Sequence, residues 1–96
     1  MSSKKEKKLL SFLDQKKNIY CEIEKTRTDG EAYTIKLTLW VNDKNEVSMM
    51  VEQFLDKHAF AEDLYERDEI LKFPTVEEAI SYLKIEFDIG LDKFHR

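Results

Sequence analysis

The side chains best equipped for chemistry are few and scattered. One cysteine, Cys21, and two histidines, His58 and His95, lie far apart in the sequence, whereas a structural zinc site gathers its ligands at short, paired spacings. His58, close to Asp56, reads as a loop histidine and His95 as a solvated one, so no metal site is expected. Cys21 sits on the apolar side of an alternating run, where cysteine acts as a small hydrophobe. Ser11, Ser48 and Ser81 lie in no nucleophile-elbow pattern. Carboxylate pairs such as Glu62–Asp63 and Glu77–Glu78 are plentiful, but a catalytic pair needs burial and a cleft that a short chain can hardly enclose. With 2 glycines there is no Gly-rich phosphate cradle. Neither catalysis nor a cofactor is predicted.

Charge offers two further readings. The net charge of −4 divides unevenly: residues 1–45 hold ten Lys or Arg against seven Asp or Glu, and residues 46–96 hold six against thirteen. Lys4, Lys5, Lys7 and Lys8 could touch phosphates weakly and in a salt-dependent way. Asp56, Glu62, Asp63, Glu66, Asp68 and Glu69 could instead occupy a basic partner protein as an acidic inhibitor. A solubilising terminus and a solvated acidic loop explain both clusters more simply, and nucleic acid is disfavoured as a partner. The order helix–strands–helix is similar to that of double-stranded RNA modules, but the last helix opens Thr75-Val76-Glu77-Glu78, where a phosphate-binding surface wants lysines.

The elements that must position these residues follow from periodicity. The 96 residues are 38% charged and 42% hydrophobic, with 1 Pro, which fits one ordered domain with a thin core. Ser3-Lys4-Lys5-Glu6 fits a capping box, and Leu9, Leu10, Phe12 and Leu13 mark a helix over about 4–16. Ile19, Cys21 and Ile23 then alternate with polar residues, as do Tyr33, Ile35, Leu37, Leu39 and Val41, giving strands over about 18–27 and 31–42. A two-residue turn at Asp29-Gly30 would set Ile23 opposite Lys36. A three-residue loop with Gly30 left-handed pairs Ile23 with Ile35, Cys21 with Leu37 and Glu22 with Lys36, so one face stays apolar.

Residues 46–57 fit two patterns. Val47, Met50, Val51, Phe54 and Leu55 make a helical stripe, whereas Val47, Met49, Val51 and Leu55 make a strand over about 46–55. The strand is favoured, because a second three-residue loop with Asn45 left-handed then pairs Leu39 with Met49 and flanks Lys36 with Glu52. A polar connection with a helical turn near Phe60 and Leu64 leads to a strand over about 69–73, ended by Pro74. Thr75–Glu78 is a second capping box, opening a helix over about 75–88 with Val76, Ala79, Ile80, Leu83 and Phe87 inward. Gly90 stands where a left-handed C-cap belongs, and the tail packs loosely through Phe94. The expectation is an α+β fold: a small three- to four-stranded antiparallel sheet with an N-terminal and a C-terminal helix on one face.

No apolar run approaches the ~20 residues that cross a bilayer. The single cysteine suggests a reducing interior, and Met1-Ser2-Ser3-Lys4-Lys5 resembles no apolar signal. A cytoplasmic protein without membrane association is expected. What remains is the second face of the sheet, where Tyr20, Trp40, Met50 and Phe54 project among Lys36, Glu22 and Glu52. Aromatics and Met with a few polar groups suit recognition, the alternative being that residues 56–73 fold over and cover them. The sequence therefore predicts a non-catalytic interaction or regulatory module that engages a protein partner or a second copy of itself. Tyr20 and Trp40 would be its anchors, Met50 and Phe54 its adaptable contacts, and Lys36 its orienting charge.

Overall fold

The computed structural model describes residues 4–96, so the Ser3 half of the expected N-terminal capping box lies outside the described residues. Helix α1 (Lys4–Asp14) leads into strands β1 (Ile19–Thr26), β2 (Ala32–Val41), β3 (Val47–Leu55) and β4 (Arg67–Phe73), followed by helix α2 (Val76–Phe87). Single 3₁₀ turns occupy Asp56–His58, Glu62–Leu64 and Leu91–Lys93. The strands form an antiparallel meander in the order β1-β2-β3-β4. This is the α+β architecture that the sequence predicts, and residues 47–55 resolve as strand rather than helix.

Two three-residue loops set the register. In the first, the Arg27 N–H donates to the Glu31 carbonyl at 2.9 Å, and Gly30 takes φ +90°. In the second, the Asn42 N–H donates to the Glu46 carbonyl at 2.9 Å, and Asn45 takes φ +62°. The Asn42 side-chain oxygen accepts from the N–H groups of Lys44 and Glu46, stiffening that turn. A left-handed third residue lets a three-residue loop keep the strands' right-handed twist, and Gly and Asn tolerate it best. Ile23 faces Ile35, Cys21 faces Leu37, Leu37 faces Val51 and Leu39 faces Met49. These apolar positions of the first three strands therefore share one face.

The inner face carries the core. Ile19, Cys21, Ile35, Leu37, Leu39, Val47, Met49 and Val51 are buried against Leu9 and Leu13 of α1 and Ala79, Leu83 and Phe87 of α2. Helix α1 packs on β1 and β2, and α2 on β3 and β4, so the two helices divide one face between them. Thr75 caps α2 by accepting from the Glu78 N–H at 3.2 Å. No helix among the described residues is long and apolar enough to cross a membrane.

Three details differ from the sequence expectation. Helix α1 ends at Asp14 because Lys16 turns left-handed, with the Lys17 N–H donating to the Phe12 carbonyl and the Lys16 N–H to the Leu13 carbonyl. That pair of bonds is a Schellman motif, here built without glycine. Helix α2 likewise closes on Asp88 (φ +55°), two residues before Gly90, which is extended at φ −104°. The tail is not loose. Leu91 and Phe94 are buried, and His95 exchanges backbone hydrogen bonds with Tyr20 at 2.7 and 2.8 Å.

Gly30 shows how much rests on one backbone angle. A methyl group there would meet nothing within 4 Å, so Gly30→Ala imposes conformational strain alone. It should cost about 1–2 kcal/mol. Urea titration should show a lower midpoint with an unchanged slope.

Candidate functional site

Because side chains alternate across a strand, the register defines the outer face row by row. One row, from β1 to β4, is Tyr20–Thr38–Met50–Ile70. On one side of it runs a charged row, Glu22–Lys36–Glu52–Asp68, and on the other Trp40–Ser48–Lys72. The Tyr20 row is largely apolar and open: Tyr20 is 41% and Ile70 54% exposed, and Met50 is half-buried. Trp40 beside it is half-buried, opposite a fully covered Ser48. Lys36 leans toward Glu22 (3.9 Å) and over the Phe54 ring (5.7 Å to its centre). Thus Tyr20, Lys36, Trp40 and Met50 share one surface, as their alternation predicts.

Phe54 lies on that face but not at its surface, which corrects the expectation that it is an adaptable contact. It is 4% exposed, because Tyr65 stacks on it with ring centres 4.7 Å apart. The Tyr65 hydroxyl donates to the Ala59 carbonyl, Thr34 Oγ1 donates to Asp56 at 2.7 Å, and Arg27 pairs with Glu66. Residues 56–66 therefore fold over the Phe54 end of the sheet and are pinned to β2, β3 and the first loop. Ile70 is the residue that sequence reasoning missed. Leu71 and Phe73 facing inward would have placed it outward, but only once β4 was known to pair with β3.

The inner side of β4 carries a different group. Arg67 donates to Glu69 (2.7 Å), to the Tyr82 hydroxyl (2.5 Å) and to Glu86 (3.4 Å). These bonds tie β4 to α2 and leave the guanidinium fully engaged. Of the N-terminal lysines, Lys5 and Lys8 line a shallow cavity of about 280 Å³ with Leu9, Phe12, Phe94, His95 and Arg96. Lys17 and Arg96 both stand near the Phe12 ring, at 5.9 and 5.5 Å.

Cys21 is buried in the core, and that desolvation, with Glu22 adding to it, raises its thiol pKa. A protonated, covered thiol is a poor nucleophile. Among the described residues no three His, Cys, Asp or Glu side chains gather as a metal ion would require. The outer face thus presents a largely apolar row between a charged row and the Trp40–Ser48–Lys72 row. Comparison with models of known families, with curated proteins and with solved structures finds no match.

Two measurements check this geometry. Native Cys21 should resist iodoacetamide and react fully once the protein is unfolded in urea; rapid native alkylation would contradict its burial. The hydrogen bond from Arg27 holds the Glu66 carboxyl below its ordinary range. A carboxyl depressed in the folded state stabilises above the unfolded value of ~4.3, and that contribution is lost as pH falls through the folded value. Glu66→Gln should therefore lower the urea midpoint at neutral pH, with the wild-type and variant midpoints converging below about pH 4.

Proposed function

We propose that the protein is a non-catalytic, cytoplasmic interaction module that docks another polypeptide on the Tyr20–Thr38–Met50–Ile70 row, with Trp40 as a flanking anchor. One observation carries this reading. Two helices cover the inner face and residues 56–66 cover Phe54 on the outer one, yet a largely apolar row spanning all four strands stays open between its charged flanks. Exposed apolar patches rimmed by polar residues mark interaction sites. The other exposed large apolar side chains among the described residues, Phe60, Leu64 and Ile85, lie on the connection between β3 and β4 and on α2, outside this row.

Capture from extract of the producing cells, with and without nuclease, comparing wild type with Ile70→Ser, tests the proposal. Ile70 is mostly exposed, so the variant should keep its stability within about 0.5 kcal/mol. A polypeptide retained by wild type and lost with Ile70→Ser is the expected result. A catch that survives Ile70→Ser but disappears with nuclease would overturn it in favour of the cationic surface at Lys5 and Lys8.

A further inference from the structure

Resting on the docking reading above, we infer that the occupant of the Tyr20–Thr38–Met50–Ile70 row is a second copy of this chain, stacked face to face about a two-fold axis running along the row. The argument is charge complementarity between the two flanking rows. Rotation about that axis turns the second sheet over, keeps each strand above its own counterpart and exchanges the flanks. The apolar row meets itself. The Glu22–Lys36–Glu52–Asp68 row then lies over the Trp40–Ser48–Lys72 row of the second copy.

Strand by strand, the matches are specific. On β4, Asp68 comes level with Lys72 of the second copy, and symmetry makes this pair twice. On β2, Lys36 comes level with Trp40 of the second copy, a cation over an aromatic ring. The alternative two-fold axis, along the strands, would lay the acidic row upon itself: Lys36 would meet Glu52 of the second copy, but Glu22 would meet Asp68, carboxylate against carboxylate. Sheets stack with their strands within about 30° of each other, which keeps these rows in register near the axis. A two-fold interface must be self-complementary, and this pattern of rows meets that requirement.

The test is sedimentation equilibrium on the full chain and four variants, each checked by circular dichroism and urea titration. Wild type should show concentration-dependent dimerisation. Ile70→Ser should weaken it at least ~10-fold, a loss of about 1.4 kcal/mol. Asp68→Lys sets lysine against lysine at both symmetric positions, and Lys72→Asp sets carboxylate against carboxylate; each should weaken the dimer comparably. The double variant Asp68→Lys/Lys72→Asp restores opposite charges and should recover the wild-type affinity to within a few-fold. A wild type that stays monomeric at every concentration overturns the inference, as does a double variant no better than the single ones. A monomeric wild type that still captures an Ile70-dependent polypeptide overturns the second copy alone and leaves the docking reading standing. Loss of both overturns both.

Discussion

The left-handed backbone at Gly30 and Asn45 is the constraint on which the rest of the structure depends. Each closes a three-residue loop, and each loop fixes which side of the next strand faces the helices. Side chains alternate with a period of two, so a slip of one residue at either loop would turn a whole strand over. Tyr20 and Trp40 would then point into the helices and Cys21 and Leu37 into water. The core and the outer face are two consequences of one register, and neither can be altered without the other.

How far this is legible in sequence depends on whether a feature is local. The loops were legible because only one loop length kept Ile23 opposite Ile35, and the same test, applied to Leu39 and Met49, favoured strand over helix for residues 47–55. Pattern alone was silent there, since Val47, Met50, Val51 and Phe54 also satisfy a helical period. Which residue covers Phe54 was not legible. The cover needs Tyr65 to return across the sheet, held by bonds such as Thr34 to Asp56 that join residues 22 positions apart. The helix ends misled for a different reason. Glycine is the usual left-handed terminator, but Lys16 and Asp88 take that conformation, and the Lys84 side chain donates to Asp88 at 2.8 Å. The cost of a left-handed non-glycine residue is small beside the burial of Leu13, Leu83 and Phe87, so tertiary packing sets the stopping point.

The tail illustrates how little apolar surface is needed to fix a segment in a thin core. Phe94 is fully buried, and burying a Phe side chain is worth about 1.5–3 kcal/mol. It lies in the same core as Leu9 and Leu13. The backbone pair between Tyr20 and His95 follows from that anchoring. It adds a partner to the outer edge of β1 at the residue that begins the exposed row.

That edge pairing bears on the route a partner can take. A sheet can recruit another chain by adding a strand or by stacking a face. Strand addition at β1 must displace His95 and then run past Glu22, Glu24 and Lys25, whose charges oppose such pairing. At the other edge, β4 carries Arg67, Asp68, Glu69 and Lys72, again the composition that keeps edges apart. Both edges resist, the inner face is filled, and the Phe54 end of the outer face is closed by Tyr65. Of the routes through the sheet, the proposed Tyr20 row meets none of these obstacles. Its two unlike flanks would give an association there an orientation as well as an affinity, because apolar contact alone does not distinguish one direction of stacking from another.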